Sequence, residues 1–389
     1  MTDTTSDRDR RSHWRERMHR FFVGRSLEEC VERGETDNVL QLRLGAAILV
    51  LLGHSYAVLG STVGHQEPMH YLFPGTLSHI TGVMLFFMIS GFLITLSWLR
   101  RPELPRFLRA RALRIWPALF VCVAVTALVI GPVVTTWSLH TYFLAGDSQG
   151  TAIGYILNNA VLNLRHTLPG VFERNPIPRY LNGSLWTLPI EATLYVCVAA
   201  LGAFRCLRYP WIASLGIALV FSSLILRPMY FGHPLPWFGY VLAGFFGAGS
   251  IACLLRRYIY VSSGIMLVIL TACVLSRYTT HLMPCNWLAI GYFTLWFCYV
   301  PRLPAIPHGL DLSYGTYLWA FPVQQCIVLA GVHRPLLVFA VAAPIALALG
   351  AASWICIERP ALRLKDTTRA RHVGSTHLTG FSERFSGYG

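Results

Sequence analysis

The chain has 389 residues, of which 54% are hydrophobic and 13% charged, with a mean hydropathy of +0.50. Soluble domains carry about 25% charged residues, so the composition excludes a water-soluble globular protein and describes a polytopic membrane protein. The formal net charge of +14 would suit a nucleic-acid binder only if the charges clustered in one soluble unit, and they do not.

Residues 1–41 alternate Arg with Asp and Glu and read as a solvated tail, with an amphipathic piece around Trp14 to Phe22. No short apolar core with a cleavage site opens the chain, so no removable leader is expected. Leu42 to Gly60 forms the first span, since about 20 apolar residues cross a bilayer. Thr76 to Trp98 forms the second, and the basic segment Arg100 to Arg114, broken by two prolines, connects it to a third at about Ile115 to Pro132. In the polar interval 133–184, Tyr155 to Leu164 is too short to cross and reads as an interfacial or re-entrant element. Further spans are expected at 185–203, 211–227, 236–254, 258–276, 284–300, 314–331 and 335–355. The expected fold is therefore all-α, a bundle of about ten transmembrane helices over 42–360, with a cytoplasmic tail at 361–389.

Placing the 32 Lys and Arg residues on alternate sides puts 26 inside and 6 outside when the N-terminus is cytoplasmic. That bias follows the positive-inside rule, sets both termini in the cytoplasm and removes the nucleic-acid reading. The ten cysteines are scattered, without CxxC spacing, so neither a disulfide framework nor a metal site is expected. No internal repeat of the transporter kind is visible.

Several polar side chains stand where lipid should forbid them. His54 lies well inside the first span, and an ionisable group at that depth faces a polar cavity or a partner; it reads either as functional or as a neutral histidine bonded between helices. Arg43, eleven residues earlier, lies roughly three turns or about 16 Å below it on much the same face. Glu191, six residues into the fourth span, needs a partner, and pairing with His54 would orient the imidazole. Arg111 and Arg114 share one helix face and suit either a phosphate or anionic lipid headgroups. Ser90 and Gly91, in mid-span, read as small residues for close packing. His79, Asp311 and Glu358 near span ends have structural readings.

Taken together, LRLGAAILVLLGHSY, GVMLFFMISGFLIT, RALRIWPAL, NGSLWTLPIEATLY, LSYGTYLWAFPVQQ and IERP, in that order over about 40–360, resemble the acyltransferase family 3 of integral membrane proteins. That group includes bacterial O-antigen and exopolysaccharide O-acetylases. Where many members have a His after YLW, this chain has Ala320. It also ends soon after the last span, so no extra esterase-like domain is expected.

The resemblance implies a multi-pass enzyme of the bacterial inner membrane. It implies that Arg43 and His54 form the family's Arg and His pair, that Arg111 and Arg114 form its two-arginine motif, and that Glu191 is its acidic position. Ser90, Tyr317 and Trp186, within the matching stretches, are expected substrate contacts. The donor would be acyl-CoA, commonly acetyl-CoA, at the cytoplasmic face, and the acceptor a glycan or lipid-linked saccharide hydroxyl, with no metal. Membrane lipid surrounds the bundle, and a homo-oligomer is compatible with it. The CoA phosphates would stay at the basic surface on Arg111, Arg114 and Arg43, while the pantetheine arm threads toward His54. His54 would act as general base in direct attack or accept the acyl group itself. The alternatives are a transporter or flippase of lipid-linked sugar, and an acyltransferase acting on a small molecule.

Overall fold

A computed structural model of the chain describes residues 21–34, 36–60, 67–72, 76–145, 150–226, 237–306 and 309–365. In chain order its principal elements are β1 (Arg25–Ser26), α1 (Leu27–Arg33), α2 (Val39–Ala57), α3 (Ser78–Arg100), α4 (Leu104–Val134) and α5 (Ala152–Ala160). There follow α6 (Leu188–Ala203), α7 (Pro210–Leu226), α8 (Trp237–Leu254), β2 (Tyr260–Val261), α9 (Ser263–Leu275), α10 (Leu282–Tyr299), α11 (Ser313–Leu329) and α12 (Pro335–Arg363). A helix satisfies every backbone polar group within its own segment, which is what hydrocarbon demands. Helices α2 to α4 and α6 to α12 stand where spans were expected, and among the described residues five helices are long and apolar enough to cross a membrane: α2, α3, α4, Leu185–Ala203 and α12.

Helix α3 is the centre of the bundle. It is apolar all round, as a helix enclosed by others is, and 83% of its most apolar stretch is buried, against 28% for α12. Its largest packing partners are α8 and α2, and α11 pairs with α12. Gly91 explains the α3–α8 contact, because the carbonyl oxygen of Phe246 occupies the space a Cβ would need. The outward helices expose Leu215, Val268, Leu275 and Leu336, as surfaces facing lipid do.

Three expectations change. The third span begins at Leu104, not Ile115, so Arg106, Arg109, Arg111 and Arg114 ride on the same helix as the apolar run. Pro105 sits in its first turn, where a missing N–H breaks no hydrogen bond. The tail before residue 42 is not wholly solvated. Leu27, Cys30 and Val31 form a buried face at helical spacing, and β1 pairs antiparallel with β2. Glu28 then binds Arg256 and Arg257 at 3.1 and 2.7 Å, docking this segment on the α8–α9 connection. Of the amphipathic piece expected around Trp14 to Phe22, all but the last two residues lie outside the described residues.

The third change concerns the segment between α5 and α6. Its non-helical backbone enters the bundle, with Leu168, Val171, Phe172 and Leu181 fully or almost fully buried. Irregular backbone is tolerated at that depth only when protein groups bond it. Here Asn182 Nδ2 donates to the Leu318 carbonyl, Gln325 Nε2 donates to the Tyr180 carbonyl, and Asn175 Nδ2 donates to the Gln325 carbonyl. Helix α6 therefore starts inside the bundle rather than at its edge.

Candidate active site

Four elements bring charge to one end of the bundle. Arg43 comes from α2, Arg111 and Arg114 from α4, Asp311 from the approach to α11, and Glu358 from α12. The Arg114 guanidinium bridges two acids, at 2.5 Å from Asp311 Oδ2 and 3.2 Å from Glu358 Oε2. Arg43 reaches the same Asp311 oxygen at 3.4 Å and donates through Nε to Ser313 Oγ at 3.3 Å. The Ser313 hydroxyl and backbone N–H donate to Asp311 Oδ1, and Ser353 Oγ donates to Glu358 Oε1 at 2.9 Å. Burial alone would raise the Asp311 carboxyl, yet Arg114, Arg43 and the Ser313 donors hold it at about 2. Each buried ion costs several kcal/mol of desolvation, which only such dense pairing offsets.

Arg111 differs from its neighbour. It is 5% exposed, makes no ion pair among the described residues, and its buried Nε has no hydrogen-bond partner there. Its guanidinium lies over the rings of Phe107 and Tyr195, 5.5 and 5.8 Å from their centroids. Two aromatic faces compensate a buried cation only in part, so Arg111 retains capacity for an anion.

Two adjoining cavities open beside these groups. One is lined by Arg43, Ser90, Arg111, Arg114, Glu191, Tyr195 and Tyr314 among others. The second shares Arg43, Ser90, Glu191 and Tyr314 and extends along Val83, Phe86, Phe87, Thr187, Leu188 and Tyr317. Ser90 thus lines both. Tyr317 closes the far end, its hydroxyl donating to the Ser184 carbonyl at 2.7 Å and lying 2.7 Å from Thr187 Oγ1. Trp186, also expected to touch substrate, packs half-buried against the core and lines neither cavity.

Glu191 and His54 are not paired. Tyr195, one turn along α6, donates its hydroxyl to Glu191 Oε1, and the carboxylate faces the cavities of Arg43 and Arg111. The cause is the inward start of α6, which carries Glu191 toward the arginines instead of toward His54. The imidazole of His54 is 7% exposed and packs against two rings, His79 at 5.3 Å and the edge of Phe321 at 5.2 Å between centroids. Its Nδ1 is buried without a hydrogen-bond partner among the described residues. His54 lines neither cavity; Phe321 follows Tyr317 and His79 precedes Val83 by four residues, so the imidazole lies about one turn beyond the cavity end. The Phe86 and Tyr317 rings, 5.9 Å apart, line that end. On the other side of Phe321, Tyr180 stacks on His166 at 4.8 Å.

Sequence reasoning missed Asp311, Glu358, Tyr195 and Tyr314 as parts of this site. The available signal was two acids at the ends of apolar runs, facing an excess of arginine at the same end.

A polytopic helix bundle that encloses a cationic cavity and, beyond it, a buried imidazole has the layout of a membrane-embedded group-transfer enzyme. The comparisons narrow that class. The acyltransferase 3 family model, described as an acyltransferase domain, matches residues 39–355. The chain belongs to this family and is an acyltransferase, which displaces the transporter alternative. It is similar to an O-acetyl transferase of Shigella phage Sf6, 30% identical over 326 residues, covering 74% of this chain and 84% of that one. It is also similar to Nodulation protein 10 of Rhizobium leguminosarum bv. viciae, 26% identical over 390 residues, covering 87% and 97% respectively. No solved structure matches the chain.

Proposed function

We propose that this protein is an inner-membrane O-acetyltransferase that moves an acetyl group from cytoplasmic acetyl-CoA to a hydroxyl of an extracytoplasmic or lipid-linked glycan. The observation that carries the reading is Arg111, a buried guanidinium whose Nε has no partner among the described residues, lining one of two adjoining cavities of which the other extends to Tyr317. Acetyl-CoA is anionic at its nucleotide and nearly neutral along its arm. Its phosphates would rest on Arg111, with Arg43 and Arg114 completing the cationic wall, and the arm would lie along Ser90 and Tyr317. His54 would take the proton of the acceptor hydroxyl as that oxygen attacks the thioester carbonyl. The new C–O bond forms, the C–S bond breaks, and the proton passes to the departing thiolate, leaving free CoA. Glu191 would hold Arg43 and Arg111 toward the donor rather than orient His54.

Ten spans with both termini in the cytoplasm would suit this arrangement. Two contacts support that topology: the segment β1–α1 docks on the α8–α9 connection, and Arg277 Nη2 donates to the Tyr71 carbonyl. The acceptor would approach past Tyr180 and Phe321. The test is to incubate membranes containing the protein and their glycans with radiolabelled acetyl-CoA. Label entering the glycan fraction supports the reading; label confined to a small molecule, or none transferred, contradicts it.

A further inference from the structure

The second histidine of the His54 pair has no role in the reading above. His79 is the second residue of α3. Its imidazole lies 5.3 Å from that of His54 between centroids, with 33° between the ring planes. Its Nδ1, like that of His54, is buried and has no hydrogen-bond partner among the described residues. Two unsatisfied polar atoms a ring apart in an apolar setting are costly, and at this separation a nitrogen of each ring turned toward the other comes within N–H···N reach.

The backbone builds this juxtaposition. Gly53, the residue before His54, has no Cβ, and the space a Cβ would take is filled by His79 itself: its backbone N, its Cβ at 2.9 Å and its Nδ1 at 2.8 Å. The beginning of α3 is fixed from above by Glu67, whose carboxylate accepts the Ser78 N–H at 2.5 Å. His79 is therefore pressed against the turn of α2 that carries His54, and Phe321 holds the other side of the ring.

A general-base imidazole needs one nitrogen free for the acceptor and the other protonated and held. Carboxylates commonly do the holding, but Glu191 is bonded to Tyr195. We propose that His79 is a positioning residue for His54: its neutral imidazole accepts the N–H of His54, fixes the tautomer, and keeps that bond when His54 takes the hydroxyl proton. The proton leaves again with the thiolate, so His79 ends each cycle unchanged. The inference rests on His54 acting as the base, as proposed above.

The test measures label transfer from radiolabelled acetyl-CoA to the glycans of membranes carrying wild-type protein, His79→Phe, His79→Gln, His54→Asn and the His54→Asn/His79→Phe pair. Partners that orient a metal-bound imidazole are worth about 10–100-fold, and a loss of the same order is expected here. The phenylalanine variant should lose about 30-fold in maximal rate, with the half-saturating acetyl-CoA concentration within about twofold, and the glutamine variant should recover most of the loss. The paired variant should be no slower than His54→Asn, because the two side chains act as a unit. A wild-type rate in His79→Phe, equal loss in His79→Phe and His79→Gln, or a multiplied loss in the pair overturns the role of His79. If His79→Phe aggregates, His79→Leu serves the same comparison. Retained activity in His54→Asn instead overturns the reading of His54 itself.

Discussion

The Arg114 guanidinium and the Asp311 carboxylate meet at 2.5 Å, both almost wholly buried, where α4 passes the approach to α11. Removing one charge of a buried pair leaves the other uncompensated, at a cost of about 3–5 kcal/mol. Asp311→Asn strands Arg43 as well as Arg114. Purified in detergent, that variant should unfold at a clearly lower temperature than wild type, and an equal midpoint would contradict the hub assigned to Asp311.

The same pair predicts a pH dependence. The Asp311 carboxyl is lowered from 3.8 to about 2 in the folded protein. A depressed carboxyl stabilises the fold in full above its unfolded value and loses that contribution as pH falls through the folded one. The difference in midpoint between wild type and Asp311→Asn should hold steady from about pH 7 to pH 5 and shrink between about pH 4 and pH 2. A difference that vanishes on the alkaline side would contradict the assignment.

Arg111 and Arg114 share a helix face but not a task. Arg114 is held by two carboxylates, while the Nε of Arg111 has no partner among the described residues. A hydrogen bond to a charged group is worth about 1.5–3 kcal/mol, so Arg111→Ala should raise half-saturating acetyl-CoA about tenfold or more. Dependence on acceptor should stay as it was, and the yield of folded protein should fall less than in Arg114→Ala. Steady-state kinetics on membranes with varied acetyl-CoA check this; an unchanged donor dependence would return Arg111 to a topological role.

Gln325 joins α11 to the middle of the inserted segment. Its Nε2 donates to the Ile177 and Tyr180 carbonyls at 3.3 and 2.6 Å, and its Oε1 accepts from Asn175. Gln325→Leu leaves these groups unpaired at depth, at about 1–3 kcal/mol each. The expected result is a lower unfolding temperature and new protease cleavage within residues 163–187. Resistance equal to wild type would mean that the Gln325 bonds do not hold the segment in place.

The helices were legible because hydrocarbon leaves the backbone few options: apolar runs become helices where they stand, and among the described residues five of those helices are long and apolar enough to cross a membrane. The spacing of Arg43 and His54 was legible for the same reason, since both ride one helix. Pairing across helices was not. Arg114 finds its two acids 197 and 244 residues away in the chain, and nothing local distinguishes them from other acids at the ends of apolar runs. Glu191 meets Tyr195 and not His54, which the sequence does not reveal because the segment before α6 reads only as a polar interval. Its burial depends on amide side chains of Asn175, Asn182 and Gln325, whose partners lie in another helix. The His54 and His79 contact depends on Gly53, a position that reads as ordinary helix packing until α3 is seen to fill it.

The most direct measurement is transfer of labelled acetyl from acetyl-CoA to membrane glycan by His54→Asn protein that inserts and elutes like wild type. A base in the reacting step contributes about 10²–10⁴-fold, so the account predicts that label incorporation falls by at least about a hundredfold while donor binding persists. Incorporation at the wild-type rate would contradict it.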